Sequence, residues 1–327
     1  MKTKIINLLK VNKENFLSGE IISKELGVSR AAVWKYINAL KEDGYEIESI
    51  SRKGYRIISS PDLLTYEELK ENLNTNFITK IIHFDSINST NIKAKELADF
   101  GEKDGTVIIS EEQTLGRGRL GRNWISPKSK GIWMSIILKP DINPIHVSKI
   151  TQVGAAAVCK ALEEMKIDAY IKWPNDIIIN NKKVCGILTE MSSELNKINY
   201  VVLGMGINVN IDKNEFCEDI KKIATSLKIE TGKNISRKIL MAKILNNFEL
   251  LYNQFVMDGN AKVSLDICRK KSILLGKKIN IIKNKEILSV KAIDINNEGE
   301  LLVQRPDGKT ESLISGEVSL KGIYGLV

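Results

Sequence analysis

The order of sequence periodicities in the first sixty residues restricts this part of the chain to few small folds. Residues 20–26 have the pattern of a short helix, and Gly27 predicts a turn after it. Ser29 can cap a second, longer helix. Polar and apolar residues then alternate over residues 45–50, and a second strand pattern follows at residues 55–58. Helix, turn, helix and a basic hairpin in this order predict a winged helix-turn-helix.

The second helix of this module presents two different faces. Its predicted buried stripe, at helical spacing, consists of Val33, Tyr36, Ile37 and Leu40. Residues 1–60 carry eleven Lys and Arg against seven Asp and Glu, so the module is mildly basic. We therefore expect DNA binding, although a winged helix that contacts only proteins fits the same pattern. The residues expected to contact DNA are Ser29, Arg30, Ala31, Trp34, Lys35, Arg52 and Lys53.

Residues 116–124 read Gly-Arg-Gly-Arg-Leu-Gly-Arg-Asn-Trp, in which three arginines alternate with three glycines. Glycine lets the backbone adopt positive φ and approach a ligand closely, and the planar guanidinium of arginine matches carboxylate and phosphate oxygens. We therefore predict a mobile loop that closes over an anion. It is not a P-loop, because no Gly-Lys-Ser or Gly-Lys-Thr follows. A solvated basic turn and an Arg-Gly segment that contacts nucleic acid are the alternatives.

Histidine and cysteine usage disfavours several classes of site. The sequence has only two histidines, His83 and His146, which nearly excludes a Ser-His-Asp hydrolase or a His-ligated metal centre. The four cysteines lack metal or redox spacing, so we expect reduced thiols in a cytoplasmic protein. No apolar run approaches the ~20 residues of a membrane span, and no signal-peptide cleavage site is visible. The net charge of +9 suits acidic partners.

Beyond the N-terminal module, helix and strand patterns alternate, which predicts a mixed α and β domain. A long helix is expected to open at Pro144 and to run to about Met165. Ser236 is expected to cap another helix, with Ile239 on its buried face. After Gly276, four or five short strands separated by turns predict a small β-barrel.

Two segments of the mixed domain combine regular structure with candidate ligand contacts. Residues 88–91, Asn-Ser-Thr-Asn, lie where a helix begins, so their side chains can cap it or donate to a ligand. Capping alone is the commoner role of such residues. Gly204 and Gly206 lie in an apolar strand, where glycine marks either a close approach or a bulge.

A predicted hairpin around residues 180–183 carries one acidic and one basic candidate. Asp176 begins its first strand, and Lys183 lies just past a tight Asn-Asn-Lys turn. Pairing of the strands could bring both residues to one face. Lysines in hairpin turns are usually solvated, however, so this pattern alone does not favour a catalytic lysine.

The order of the motifs is more specific than any one of them. They are Ser-Thr-Asn (89–91), Gly-Arg-Gly-Arg-x-Gly-Arg-x-Trp (116–124), Lys-Trp-Pro-Asn-Asp (172–176), Lys-Val-Cys-Gly-Ile-Leu-x-Glu (183–190) and Gly-x-Gly-Ile-Asn-Val-Asn (204–210). In this order they resemble the bacterial biotin protein ligases over the whole chain. The winged helix in front resembles the bifunctional members, which also repress the biotin operon.

This resemblance implies an α+β protein of three domains. Residues 1–62 would be the winged helix-turn-helix, which ends at a Pro-Asp linker. Residues 63–272 would be a catalytic domain with a mixed sheet and flanking helices, similar to class II aminoacyl-tRNA synthetases. Residues 273–327 would be a small SH3-like β-barrel.

The resemblance also implies the reaction. Biotin and ATP would give biotinoyl-5′-AMP and pyrophosphate, and the biotinoyl group would pass to a lysine of a biotin carboxyl carrier protein. In the bifunctional members the adenylate is also the corepressor, which promotes a homodimer on operator DNA. The first step brings a carboxylate against a phosphate, and fixed cations with Mg²⁺ stabilise the charge without an imidazole or a metal site built only from protein ligands.

Site residues follow from the matching motifs. The resemblance implies a biotin and adenylate site formed by Ser89, Thr90, Asn91, Gln113, Gly116, Arg117, Gly118, Arg119, Arg122, Trp124, Lys183, Gly186, Gly204, Gly206 and Asn208. Lys183 would hold carboxylate and phosphate oxygens, and Arg119 would order the loop over the phosphate. We expect Asp176 to receive the proton of the incoming lysine. Lys321 stands where the family often has arginine, and an ammonium lacks the bidentate fork.

Two other functions fit parts of the pattern. A lipoate or octanoate ligase of the same superfamily would lack the winged helix and this form of the Gly-Arg loop. A non-catalytic, ligand-sensing repressor would not need the intact Arg119 and Lys183.

Overall fold

The computed structural model describes residues 1–194, 197–283, 286–314, 316 and 318–320. It divides into two compact units, Met1–Glu71 and the part that begins at Asn72. Lys321, the departure from the family pattern, lies outside the described residues.

The first unit contains the predicted helix-turn-helix and hairpin. Its elements are α1 (Lys2–Val11), α2 (Gly19–Leu26), α3 (Arg30–Glu42), the antiparallel strands β1 (Glu46–Ile50) and β2 (Gly54–Ser59), and the short α4 (Tyr66–Leu69). Gly27 ends α2 with a φ of 64°, a left-handed conformation that suits glycine. Ser29 Oγ accepts a hydrogen bond from the Ala32 amide, so the predicted cap of α3 is confirmed.

The core of this unit lies between the three longer helices and the hairpin. Val33, Ile37 and Leu40 are fully buried, whereas Tyr36 is only partly buried at the edge of the cluster. Glu68 of α4 joins this unit, because it accepts a hydrogen bond of 2.8 Å from Tyr45 Oη and lies 2.9 Å from Lys10 Nζ. Burial and the bond to Glu68 raise the pKa of Tyr45.

A seven-stranded mixed sheet forms the centre of the second unit. Its strands are β3 (Lys80–Phe84), β4 (Thr106–Ser110), β5 (Gly131–Leu138), β6 (Tyr170–Lys172), β7 (Asp176–Ile179), β8 (Lys182–Glu194) and β9 (Lys197–Asn208). They lie in the order β3-β4-β5-β9-β8-β7-β6, and only the β3–β4 pair is parallel. All residues of β4, β5 and β7 are buried, as expected of a sheet with cover on both faces.

Helices α5 (Thr90–Asp99) and α6 (Ser148–Glu164) cover the two faces of this sheet. The other α-helices described in this unit are α7 (Glu218–Lys221), α8 (Leu227–Thr231), α9 (Arg237–Asp258) and α10 (Lys262–Lys270). Asn91 of α5 contacts the sheet at Gly204, whereas Gly154 of α6 contacts it at Met205. Neighbouring strand residues point to opposite faces, so α5 and α6 lie on opposite sides of the sheet.

Two predictions about these helices are wrong in detail. The helix expected to open at Pro144 begins at Ser148. The amides of His146 and Val147 donate to the carbonyls three residues earlier, so residues 143–147 form a separate 3-10 turn. In α9, whose Ser236 cap is confirmed, Ile239 is 38% exposed and Arg237 is 2% exposed. The buried position therefore belongs to a charged residue.

The C-terminal part forms a five-stranded antiparallel sheet. Its strands are β10 (Lys278–Lys283), β11 (Glu286–Ile295), β12 (Leu301–Gln304), β13 (Thr310–Leu313) and β14 (Val318–Leu320), in the order β13-β12-β11-β10-β14. The carbonyl of Gly299, in the β11–β12 turn, accepts a hydrogen bond of 2.9 Å from the Trp173 indole. This sheet is thereby joined to the segment between β6 and β7. Within the described part of the chain, no helix is long and apolar enough to cross a membrane.

Candidate active site

Three glycines form the floor of a cavity in the second unit. Gly206 pairs with Gly186, and Gly204 pairs with Leu188, in regular register across β8 and β9. A Cβ on Gly204 would lie 2.1 Å from Asn91 Oδ1, and one on Gly206 would lie 2.5 Å from Trp124 Nε1. The glycines therefore permit a close approach, and the alternative of a bulge at these two positions is wrong.

The start of α5 lies against this floor. Ser89 makes no capping hydrogen bond, so the prediction that residues 88–91 mainly cap their own helix is wrong for Ser89. Instead, Gln113 Oε1 accepts hydrogen bonds from the Thr90 amide (2.8 Å) and from Thr90 Oγ1 (3.1 Å). A side chain from a distant segment thus satisfies the helix terminus.

Asn91 belongs to a buried polar network beside Gly204. Its Nδ2 donates to Glu190 Oε2 at 2.8 Å, and its Oδ1 accepts a hydrogen bond of 2.6 Å from Ser135 Oγ. Burial would raise the pKa of Glu190, but hydrogen bonds from Lys95 and Asn91 lower it below its ordinary value. Glu190 therefore stays ionised and holds the Asn91 amide in one orientation.

A β-bulge in β8 brings Lys183 to the glycine floor. Ile177 pairs with Cys185, but Ile178 pairs with Lys183, so the residue between them, Val184, has no partner. Without the bulge, Lys183 would share the face of Cys185. With it, Lys183 lies on the side of Gly186, where a Cβ would be 3.0 Å from Lys183 Cε.

Lys183 is therefore not a solvated turn residue. The turn consists of Asn180 and Asn181, whose φ angles are 47° and 63°, and both Lys182 and Lys183 lie in β8. Lys183 Nζ lies 2.7 Å from Asp176 Oδ1, and the two side chains are 16% and 6% exposed. The contact lacks hydrogen-bond geometry, so it is an electrostatic pair.

The Gly-Arg loop lies over this pair. The Trp124 amide donates to the Gly116 carbonyl at 2.9 Å, and the Gly118 amide donates to the Arg122 carbonyl at 2.7 Å, so the loop is folded on itself. Arg119 Nη1 donates to Asn175 Oδ1 at 2.7 Å. Its Nη2 donates to the Gly316 carbonyl at 3.2 Å, which links the loop to the C-terminal sheet.

The Trp124 side chain covers the glycine floor. Its ring centroid lies 5.3 Å from Lys183 Nζ, a cation–π distance. Its Nε1 is buried and has no hydrogen-bond partner. An apolar cluster supports the indole from the side of residues 211–224, and it contains Trp133, Ile211, Phe216, Ile220 and Ala224.

One cavity brings nearly all predicted site residues together. The predicted residues that line it are Ser89, Thr90, Asn91, Gln113, Arg117, Gly118, Arg119, Arg122, Trp124, Asp176, Lys183, Gly186, Gly204, Gly206 and Asn208. Gly116 does not line it but supports the loop, since a Cβ there would lie 2.3 Å from the Trp124 carbonyl oxygen. The predicted set omitted Asn175 and the apolar wall of Phe216, Ile220, Ile223 and Ala224. These wall residues are spaced i, i+4, i+7 and i+8, as on the buried face of a helix, so the sequence alone does not distinguish them from ordinary core residues.

The cavity offers charged groups and hydrogen-bonding groups. Burial raises the pKa of Cys185 well above its ordinary value, so this thiol stays protonated. Among the described residues, no group of three or more His, Cys, Asp or Glu side chains could hold a metal ion. Lys183 and Arg119 are positioned to attract an anion that carries several oxygens.

The strand that enters the Gly-Arg loop ends at a buried acid. Glu111 is 1% exposed, and it contacts Arg237 Nη1 at 2.6 Å and His83 Nε2 at 3.0 Å. Burial by itself would raise the pKa of Glu111, but the hydrogen bond with His83 and the charge of Arg237 lower it to about 2. The carboxylate is therefore ionised throughout the neutral range.

Glu111→Gln should lower stability in a pH-dependent way. A folded-state pKa below the ordinary value of 4.5 stabilises the fold above that pH, and the contribution is lost as the pH falls towards about 2. We expect a loss of about 3 kcal/mol near pH 7 and of about 1 kcal/mol near pH 3. Urea unfolding of parent and variant from pH 7 to pH 3 measures it. A difference that stays constant over this range would contradict the assignment.

Comparison with known proteins agrees with these features. Residues 83–208 match the model of the "Biotin/lipoate A/B protein ligase family", residues 2–56 match an "HTH domain", and residues 274–321 match the "Biotin protein ligase C terminal domain". The bifunctional ligase/repressor BirA of Bacillus subtilis is 38% identical over 98% of both chains. BirA of Escherichia coli is 30% identical over 97% of this chain and 96% of its own.

A solved structure gives the same result. The biotin protein ligase from Aquifex aeolicus in complex with biotin and ATP has a TM-score of 0.64 and 30% identity, and the match covers 74% of this chain and 99% of that one. The sequence relatives cover the helix-turn-helix as well as the cavity. The chain therefore belongs to the biotin protein ligase family and is similar over nearly its full length to the bifunctional ligase/repressors.

Proposed function

We propose that this chain activates biotin with ATP to biotinoyl-5′-AMP, transfers the biotinoyl group to a lysine of a biotin carboxyl carrier protein, and represses biotin synthesis genes. The observation that carries the ligase function is the cavity itself. It combines a glycine floor, the Lys183–Asp176 pair and an arginine loop whose Arg119 reaches inward. Such a site suits an apolar ring that bears a carboxylate together with a nucleotide phosphate.

In the first step, two anions must meet. The carboxylate of biotin attacks the α-phosphorus of ATP, a mixed anhydride bond forms, and pyrophosphate leaves. Lys183 holds oxygens of both reactants and so reduces their repulsion, and Arg119 exchanges Asn175 for the phosphate. Mg²⁺ would bind together with the phosphates of ATP. In nucleotide sites it is usually held by one or two carboxylates and the phosphates, and the cavity lining includes the carboxylate of Asp176. The ion would neutralise the leaving pyrophosphate.

In the second step, an amine of the carrier protein attacks the biotinoyl carbonyl, and AMP leaves. Asp176 accepts the proton of this amine. Its carboxylate lies 2.7 Å from Lys183 Nζ, beside the lysine proposed to hold the phosphate. The binding roles of Ser89 and Asn91 rest on their buried positions around the floor, and that of Gln113 rests on its partly buried position in the cavity lining.

The repressor function rests on the first unit. Exposed residues lie on α3 and at its N-cap: Ser29, Arg30, Ala31, Trp34 (61% exposed) and Lys35. Arg52 and Lys53 at the hairpin turn are also exposed. These residues can enter a groove of operator DNA and contact its backbone. We infer that the adenylate acts as corepressor by favouring a homodimer. The two winged helices of this dimer would contact two half-sites of the operator.

The domain types follow from the same family membership. We propose that the mixed sheet is of the class II aminoacyl-tRNA synthetase type and that the C-terminal sheet is SH3-like. The proposed domain limits are residues 1–62, 63–272 and 273–327, and the compact first unit adds α4 to the winged helix.

An ATP–pyrophosphate exchange assay tests the ligase function. We expect exchange that requires biotin, followed by labelling of a carrier protein at one lysine. Exchange with lipoate or octanoate but not with biotin would indicate the other ligase class, and binding of biotin without exchange would indicate a sensing repressor.

Arg119→Ala should release the adenylate early. Arg119 crosses from the loop to Asn175 and Gly316, so its loss frees the loop from both. We expect an unchanged fold and biotinylation of bystander proteins increased by about tenfold or more. Labelling of a protein mixture that contains the carrier measures this. Carrier selectivity equal to that of the parent would refute loop closure by Arg119.

A further inference from the structure

The two ends of the Gly-Arg loop meet at one buried arginine. Glu111 directly precedes the segment 112–130, and Gly131 directly follows it. Arg237 Nη1, from the first turn of α9, donates to Glu111 Oε2 at 2.6 Å and to the Gly131 carbonyl at 3.1 Å. One guanidinium thus bridges the strand that leaves for the loop and the strand that returns from it.

Other contacts with Glu111 also hold the two ends of the segment 112–130 together. The Ser129 amide donates to the Glu111 carbonyl at 3.0 Å, and Ser129 Oγ donates to Glu111 Oε2 at 3.3 Å. His83 Nε2 lies 3.0 Å from Glu111 Oε1. The side chains of Arg237 and Glu111 are 3% and 2% exposed, so water does not compete for these bonds.

Arg237 does not line the cavity, so any effect that it has on the site is indirect. A buried ion pair is a weak source of stability, since a well-packed apolar pair often serves as well. A planar guanidinium, however, fixes the directions of several bonds at once, which an apolar side chain does not. The geometry at this position therefore favours a role in holding the loop ends in place.

We propose that Arg237, through Glu111, is a positioning residue that holds the root of the Gly-Arg loop so that Arg119 and Trp124 reach the cavity. This inference rests on the proposed ligase function for its catalytic consequence. The mechanical part, a fixed loop root, is independent of any ligand.

Tryptic cleavage of the full chain tests the mechanical part. The loop carries Arg117, Arg119 and Arg122 as cleavage sites. We expect Arg237→Lys, which keeps the charge but loses the fork, to raise the rate of cleavage at these sites by about tenfold without any ligand. Mass spectrometry of the fragments separates loop cleavage from general unfolding.

Arg269→Lys is the matched control. Arg269 also joins a carboxylate, Asp266 Oδ1 at 2.6 Å, and a backbone carbonyl, that of Ile295 at 2.6 Å, but its bonds lie at α10. The Arg269→Lys variant should have a lower melting temperature than the parent but the same rate of loop cleavage. If Arg237→Lys fails to fold, the double variant Glu111→Gln with Arg237→Met removes both charges together and is measured in the same way.

The catalytic part is read from the lifetime of bound biotinoyl-5′-AMP. We expect Arg237→Lys to shorten this lifetime by about tenfold, because a loop that is held less firmly keeps Arg119 and Trp124 in place over the adenylate for less of the time. Loop cleavage and adenylate lifetime both equal to those of the parent would overturn the proposal, even if the melting temperature falls. If the parent itself shows no biotin-dependent exchange, the ligase function fails, whereas faster loop cleavage in the variant would still support the role of Arg237 in holding the loop root.

Discussion

Lys183→Gln is expected to reduce biotin-dependent ATP–pyrophosphate exchange by about 10²- to 10³-fold, the range for loss of one preorganised donor to a developing charge. Lys183 Nζ lies 2.7 Å from the Asp176 carboxylate, over the glycine floor. Glutamine keeps much of the length of lysine and can donate a hydrogen bond, but it brings no charge. The rate of exchange at saturating biotin and ATP measures the effect.

Alanine would be a poorer choice, because it would leave Asp176 buried without a partner at 6% exposure. An unpaired buried charge costs several kcal/mol, so a loss of folding could be mistaken for a loss of catalysis. Lys183→Gln with Asp176→Asn removes both charges and should recover stability but not exchange.

Lys182→Gln provides the matched control for this experiment. Lys182 is the neighbouring residue of β8, and its Nζ donates to the Lys221 carbonyl at 2.9 Å outside the cavity. Its loss should leave exchange near the parental rate. If Lys183→Gln and Lys182→Gln behave alike, Lys183 has no part in adenylate formation.

Removal of residues 1–71 is expected to lower operator affinity by about 10³-fold or more, to the level of non-specific binding. All residues proposed to contact DNA lie in the compact unit Met1–Glu71, and the cavity lies in the other unit. A chain that begins at Asn72 should therefore keep adenylate formation. Operator titration at fixed salt and pyrophosphate exchange measure the two functions.

Arg52→Ala with Lys53→Ala in the full chain distinguishes lost contacts from a lost domain. These exposed residues at the hairpin turn are proposed backbone contacts, so their loss should reduce the salt dependence by about two counterions. Biotin with ATP should still raise the affinity of the variant for the operator, and biotin alone should raise it less. Equal operator affinity of the truncated and full chains would refute the repressor function.

Local sequence patterns were sufficient for the elements whose signals lie within a few residues. Gly27 and Ser29 mark the turn and cap between α2 and α3, and both have the predicted geometry. Helix α9 likewise begins after Ser236. Capping and left-handed turns depend on the backbone of the next three residues, so the sequence contains their cause.

Signals from neighbouring residues failed where a distant part of the chain supplied the partner. The terminus of α5 is satisfied by Gln113 and not by Ser89, which leaves Ser89 at the cavity wall. The buried position at the start of α9 holds Arg237, because Glu111 and Gly131 accept its hydrogen bonds. Neither partner lies near these residues in sequence.

The helix-turn-helix, a mixed α and β domain and the Gly-Arg loop could be predicted from the sequence, as could the family, through the order of five motifs. Of the residues predicted for the site, all but Gly116 line one cavity. The arrangement of those residues relative to one another depends on the tertiary structure. The bulge at Val184 turns Lys183 from a solvated hairpin position to the cavity beside Asp176. Strand register and long-range hydrogen bonds depend on pairing between distant segments, which no local period encodes.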